Sequence, residues 1–304
     1  MARKDEFQII LFQNPPLLKI RCYSSSEEIN SLLTGLKQQG KRIGFVPTMG
    51  ALHEGHESLV IRAKAENDIV VCSIFVNPTQ FNDPKDLEKY PRMPEKDVQR
   101  LESVGCDIAF IPGVSDIYPH GNKMLDIHFG KMEETMEGAF RPGHFAGVAT
   151  VVDRLFNIVQ PTSAYFGEKD FQQLAIIRKM TQIMGHTISI VGCPTLRESD
   201  GLAMSSRNLL LTEEQRKAAP LIYKAMKQAE AFIPHHTPSA VIELVKRNIE
   251  QSMFLKVQYF QLVDPETLED IDTWEGRKAV QGCIAVLTEG PRLIDNLCYA
   301  VVND

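Results

Sequence analysis

Several stretches of the chain are apolar almost throughout, and they leave little choice of fold. They are RIGFVPT (42–48), DIVVCSIFVNP (68–78), CDIAFIP (106–112), SAYFG (163–167) and TISIVG (187–192). A half-wet strand alternates polar with apolar residues, whereas a continuous apolar run is buried on both faces, as in a parallel sheet covered by helices. Helical patterns fill the intervals. SSEEINSLLTGLKQQGK (25–41) opens on capping serines and early glutamates and stops at Gly-Lys; GHESLVIRAKAE (55–66), GVATVVDRLFNIV (147–159) and DFQQLAIIRKMTQIMG (170–185) follow. Alternating strands and helices predict βαβ units, right-handed crossovers and an α/β fold. LLKIRCY (17–23) reads as a further strand, and residues 1–18 as an extension ahead of the first element. Ligands of such sheets gather beyond the carboxyl ends of the strands. The loops after RIGFV, SIFV and SAYF are therefore expected to converge.

After about residue 195 the texture changes. TEEQRKAAPLIYKAMKQAEAFI (212–233) and PSAVIELVKRNIEQSM (238–253) read as helices, while VQYFQLVD (257–264) and AVQGCIAVLTEG (279–290) alternate as one-sided strands do. This predicts a smaller α+β domain over 196–304 behind a larger one over 1–195. A net charge of -6 disfavours a nonspecific nucleic-acid binder, which needs clustered Lys and Arg. The six cysteines form no CxxC pair and several sit in apolar runs, so they read as buried free thiols of a reducing compartment. The N-terminal apolar stretch is too short for a signal peptide or a membrane span, which makes the cytoplasm the expected location.

Five stretches could carry chemistry. In TMGALHEGH (48–56) a glycine turn follows a strand and a helix opens at Gly55, so free backbone N–H groups and two histidines face one mouth, suited to a triphosphate. Taken alone, such a pair reads rather as solvated or lightly capping; as a metal site the i,i+3 spacing lacks the HExxH form and a third ligand. FGEKDFQQ (166–173) puts Lys169, a mobile point charge, at a strand end, with Gln173 a turn later on the same side; it could also be an ordinary strand–helix junction. AMSSRNLLL (203–211) could be a flexible phosphate clamp or a helix N-cap with a surface arginine. FVNPTQF (75–81) brings Asn77 and Gln80 out of a buried strand, either to read a small polar ligand or as turn chemistry. EGAFRPGHFAGVATVV (137–152) holds Arg141 and His144 in a Gly/Pro-rich loop, a lid or a plain loop. The chain carries no Walker P-loop and no GxGxxG.

In this order and at these spacings the five stretches resemble the pantothenate synthetase family, the pantoate–β-alanine ligases, over about residues 19–304. That family belongs to the nucleotidyltransferase superfamily shared with class I aminoacyl-tRNA synthetases. His53-Glu54-Gly55-His56 is similar to its HxGH signature, and Met204-Ser205-Ser206-Arg207 to its KMSKS loop. The resemblance implies a Rossmann-like ATP- and pantoate-binding domain and a smaller α+β lid domain. It implies that ATP lies along Met49, Gly50, Ala51, Leu52, His53, Glu54, Gly55 and His56. Gly167, Glu168, Lys169 and Asp170 would take the ribose and adenine side. Leu196 would touch adenine, where valine is usual, and Met204, Ser205, Ser206 and Arg207 would close over the phosphates.

By the same resemblance His56 takes the general-acid role, with His53, Lys169 and Arg207 as further catalytic residues, and Lys169 and Arg207 exposed in an open cleft. Gln80 and Gln173 would hold pantoate, Gln80 would also contact β-alanine, and Met49 could wall the pantoate methyls. Asp97 is the candidate near Mg²⁺. The implied reaction condenses (R)-pantoate with β-alanine using ATP, through a pantoyl adenylate, giving pantothenate, AMP and pyrophosphate. A homodimer is implied, without nucleic-acid or membrane partners. A non-catalytic nucleotide-binding relative is the alternative, against which the intact Lys169 and Arg207 argue.

Overall fold

The computed structural model describes residues 19–81, 84–121, 123–233 and 235–301; the extension expected over 1–18 lies outside them. The first part of the chain runs β1 (Arg21–Tyr23), α1 (Ser26–Gln38), β2 (Ile43–Thr48), α2 (Glu54–Glu66), β3 (Ile69–Ile74), α3 (Pro84–Lys89), α4 (Pro94–Ser103), β4 (Ile108–Phe110), α5 (Val114–Ile117), α6 (Met136–Phe140), α7 (His144–Val159), β5 (Ser163–Gly167), α8 (Phe171–Ile183) and β6 (Ser189–Cys193). Its six strands form one parallel sheet in the order β1-β4-β3-β2-β5-β6. The chain moves outward from β2 to β3 and β4, then returns to lay β5 on the other side of β2. That reversal creates a switch point between β2 and β5, where a crevice opens beyond the strand ends.

The apolar runs are buried on both faces for the reason their composition gives. Phe45 and Val71 face α1, α7 and α8, with Phe45 edge-on to Phe156 at 6.4 Å. Val46, Val70 and Cys72 face the opposite way, against Leu59, Val60 and Ala63 of α2 and Leu101 of α4. Pro47 lies inside β2, one residue before its end. Ile43 turns its carbonyl toward β5, and so by alternation does Pro47. The last β2–β5 pair is Phe45 with Ala164, so the missing N–H falls beyond that ladder and costs it no bond. α1 begins where its serines predict, the Ser25 hydroxyl accepting the Glu28 N–H at 3.3 Å.

The rest of the chain adds α9 (Glu213–Ala218), α10 (Leu221–Ala229), α11 (Pro238–Ile249) and an antiparallel sheet of β7 (Lys256–Val263), β8 (Ala279–Leu287) and β9 (Leu293–Ala300). Two expectations need correction. The helix read across 212–233 is broken at Pro220, which cannot donate a helical bond. β9, which covers the second edge of β8, was not foreseen. Of the cysteines, Cys72, Cys106, Cys193 and Cys283 are buried thiols as expected, but Cys22 and Cys298 are exposed. No helix among the described residues is long and apolar enough to cross a membrane.

Two glycines test this packing with opposite signs. A Cβ on Gly35 of α1 would meet nothing within 4 Å, whereas one on Gly147 of α7 would lie 2.4 Å from the Thr79 carbonyl oxygen. Urea unfolding is expected to show Gly35→Ala gaining about 0.5–1 kcal/mol and Gly147→Ala losing about 1–3 kcal/mol.

Candidate active site

β2 runs into a turn with unusual backbone demands. Gly50 (φ +82°) and Ala51 (φ +50°) both lie in the left-handed region. A Cβ on Gly50 would also come within 3.0 Å of Asp97 Oδ2 and 3.1 Å of Ile74 Cγ2. The amides of the turn point at Asp97, which reaches in from α4 and is 1% exposed. Its two oxygens accept the Ala51 N–H at 2.9 Å and the Leu52 N–H at 2.7 Å. Both oxygens of Asp97, the magnesium candidate, are turned onto main-chain amides, and burial pushes its pKa up against the pull of those amides. Among the described residues no group of three or more His, Cys, Asp or Glu side chains is placed to hold a metal ion.

The turn delivers His53 to the N-cap of α2, which begins at Glu54 rather than Gly55. His53 Nδ1 accepts the Gly55 N–H at 3.1 Å, and His56 Nδ1 accepts the His53 N–H at 3.3 Å. Two imidazoles thus build the reciprocal cap that Ser and Glu build elsewhere. Gly55 makes room for it, because a Cβ there would lie 2.8 Å from the His53 ring. The rings lie 4.1 Å apart. Burial, then Lys169 and Arg100, lower the His53 pKa to about 4. Burial, then His53 and Lys169, hold His56 well below its ordinary value. Both rings are therefore neutral near pH 7. With each Nδ1 lone pair engaged, each proton sits on Nε2, and each ring has one N–H donor left to give.

Across the switch point, β5 ends at Gly167 and a short turn, Glu168–Asp170, leads into α8. Lys169 is largely buried rather than exposed as expected, its side chain 17% exposed and its Nζ 3.5 Å from Asp170 Oδ1. Asn296 of β9 holds this turn: its Nδ2 donates to the Glu168 and Lys169 carbonyls, both at 2.8 Å, while Gln281 Nε2 donates to its Oδ1 at 2.7 Å. After β6 the chain doubles back in a narrow hairpin, in which Met204 N–H donates to the Leu196 carbonyl at 3.0 Å. Arg197 clamps the hairpin to β9, forked on Asp295 at 2.6 and 2.9 Å and lying 3.9 Å over the Tyr223 ring. Ser205 then caps a short helical turn by accepting the Arg207 N–H at 3.3 Å, and the Ser206 hydroxyl donates to the Ala51 carbonyl at 3.0 Å.

In the third loop the turn chemistry is present. Asn77 makes a turn: its Oδ1 accepts from Thr79 N–H at 3.3 Å and Tyr118 OH at 2.7 Å, while its Nδ2 faces the Gly147 carbonyl and Gln80 Oε1. Gln80, 9% exposed, places Nε2 2.8 Å from Met49 Sδ. The stretch over 137–152 is no lid loop. It forms α6 and the start of α7, with Arg141 between them and His144, 6% exposed, as the first residue of α7. Nothing in the local sequence marked Glu137, which takes Arg292 in a fork at 2.6 and 2.7 Å and the Tyr259 hydroxyl at 2.7 Å. Nor did it mark Gln172, whose amide binds the main chain of Met132, Thr135 and Glu137.

These loops enclose a cleft of about 670 Å³ lined by Met49, His53, Gly55, His56, Gln80, Gly167, Lys169, Asp170, Gln173, Leu196 and Met204 to Arg207. Five residues expected along a nucleotide do not line it. Gly50, Ala51 and Leu52 are buried behind its wall, Glu54 faces outward, and the Glu168 carboxylate lies beside Gly192 of β6.

A donor-rich cleft at the switch point of a parallel sheet places the molecule among Rossmann-like, nucleotide-binding enzymes. Comparison with known proteins narrows that class. A profile of the family described as pantoate-beta-alanine ligase matches residues 21–298. The pantothenate synthetase of Porphyromonas gingivalis is 48% identical over 278 residues, covering 91% of this chain and 98% of that protein. The crystal structure of pantothenate synthetase from Thermus thermophilus superposes with a TM-score of 0.85 at 42% identity, covering 91% of this chain and 99% of that one. A pantoate-beta-alanine ligase from Francisella tularensis, solved with beta-gamma ATP and β-alanine, gives a TM-score of 0.77 at 37% identity over 91% of this chain and 97% of that one. The chain belongs to the pantoate–β-alanine ligase family.

The histidine states set a pH dependence. His53 and His144 titrate near 4 and His56 well below its ordinary value, all lowered chiefly by burial, whereas the unfolded rings titrate near about 6.5. Between those limits the unfolded chain binds more protons, so stability falls as pH drops from about 6.5 toward 4. Thermal midpoints are expected to decline over that window. Two-bond ¹H–¹⁵N spectra at pH 6 should show neutral His53 and His56 with the proton on Nε2; imidazolium signals there would contradict the cap.

Proposed function

We propose that this chain joins pantoate to β-alanine using ATP, in two steps. A pantoate carboxylate oxygen attacks the α-phosphorus, the bond to pyrophosphate breaks, and pantoyl adenylate forms. The β-alanine amine then attacks the acyl carbon and AMP leaves. A carboxylate is a poor acyl donor because oxide would have to depart; AMP departs readily. The protein's share is alignment and stabilisation of charge on the phosphates. The observation that carries this reading is the pair of neutral Nε2–H donors fixed at the mouth of α2, facing the Lys169 wall.

In this reading His53 and His56 donate to phosphate oxygens, and the depressed pKa of His56 favours donation over proton transfer. Lys169, Ser205, Ser206 and Arg207 approach the phosphates from the other side, and Leu196, at the rim, takes the adenine. Gln80 and Gln173 hold pantoate, with Met49 beside its methyls. Magnesium arrives as the Mg–ATP substrate, held by phosphates, because Asp97 is committed to the turn and the described residues offer no protein-made cage. A division near residue 195 into a nucleotide-binding unit and a lid unit belongs to the same proposal. It is supported by the separate apolar core of residues 202–301. So does a homodimer, which sedimentation equilibrium would test.

Exchange of labelled pyrophosphate into ATP is expected to require pantoate and to proceed without β-alanine; exchange indifferent to pantoate would overturn the assignment. In single-turnover adenylation His56→Ala is expected to be slower by roughly 10²–10³, the scale for one positioned donor, with His56→Gln recovering part. Gln80→Ala and Gln173→Ala should lose pantoate-dependent exchange while calorimetry shows ATP binding nearly unchanged.

A further inference from the structure

The main-chain carbonyl of Gln80 is met by groups from the α6–α7 junction: His144 Nδ1 at 2.9 Å and Arg141 Nη2 at 3.3 Å. A carbonyl can only accept, so His144 carries its proton on Nδ1. Its Nε2 is then an acceptor, and Arg141 Nη1, which can only donate, lies 3.2 Å from it. The tautomer is determined, and it is the reverse of that in His53 and His56. Arg141 in turn lies 3.7 Å from Glu137 Oε2, and Glu137 is gripped by Arg292, the residue just before β9. The contact is tight as well as polar: the closeness of Gly147 to the Thr79 carbonyl brings the first turns of α7 onto the main chain just before Gln80.

We propose that His144 is a positioning residue for pantoate recognition: its Nδ1–H anchors the main chain of Gln80, so that the Gln80 amide meets the cleft in one orientation, and Arg141 fixes the tautomer that makes this possible. The inference rests on the reading that Gln80 holds pantoate. His144 is 6% exposed and has both ring nitrogens engaged, which leaves it no direct part in the reaction. A ring present to fill space would be indifferent to which of its nitrogens was replaced. A ring that anchors Gln80 is not.

Two near-isosteric variants separate these cases. His144→Asn places an amide where Nδ1 lies and keeps the bond to Gln80; His144→Gln places it nearer Nε2 and loses that bond. The KM for pantoate is expected to stay within about twofold in His144→Asn and to rise about tenfold in His144→Gln, the scale of one lost hydrogen bond. The KM for ATP should be unchanged in both. Equal pantoate effects, or an ATP effect as large as the pantoate effect, overturn the proposal. Gln80→Ala is measured alongside: if it leaves the pantoate KM unmoved, the reading of Gln80 fails and the proposal with it. If it moves the pantoate KM while the two His144 variants behave alike, the proposal alone fails. Should neither His144 variant fold, Arg141→Met, which removes the donor on Nε2 together with Arg141's own contact to the Gln80 carbonyl, is expected to raise the pantoate KM at least about threefold; no rise overturns the proposal.

Discussion

The cleft depends on one buried carboxylate. The turn after β2 needs two successive left-handed residues to swing the chain back into α2, and in doing so it directs the Ala51 and Leu52 amides inward. Left unpaired, each such buried donor costs about 1–3 kcal/mol. Asp97 answers both with one side chain, and a charged acceptor makes the stronger kind of bond. Its helix is braced in turn, since Arg100 of α4 pairs with Glu57 of α2. The position of His53 and His56 therefore traces back to a residue that never faces the cleft.

On the opposite wall the same economy appears in two adjacent residues of β9. Asp295 takes Arg197 and so fixes the hairpin that leads to Met204–Arg207; Asn296 takes the Glu168 and Lys169 carbonyls. The basic loops come from the parallel sheet and from the segment after it, yet both are set by one strand of the antiparallel sheet. With the Glu137–Arg292 fork, this makes the C-terminal sheet part of the cleft's geometry rather than an appendage to it.

The parallel sheet was legible because burial on both faces leaves a composition that hardly depends on neighbours. α1 and α2 were legible because caps are local chemistry. The family was legible because TMGALHEGH, FGEKDFQQ and MSSRN keep their order. What escaped is non-local. β9 is defined by its pairing with β8, not by its own pattern. Nothing around Asp97 announces its partners, two amides 45 and 46 residues away. The Gly/Pro-rich RPGH read as a loop because nothing in it shows that Gly143 leads straight into a helix whose first residue faces Gln80. Glu137 and Arg292 stand 155 residues apart, a distance at which sequence carries no sign of contact.

The histidine cap has a consequence for anyone redesigning the chain. Measured by helix propensity alone, His53 and His56 are poor choices, and the substitutions a stability search would select are His53→Ser and His56→Glu, the most effective reciprocal cap. That swap would strengthen the start of α2 while stripping its mouth of both N–H donors. At these two positions the changes that favour a sturdier helix start are the ones that remove the donors on which the proposed phosphate contacts rest.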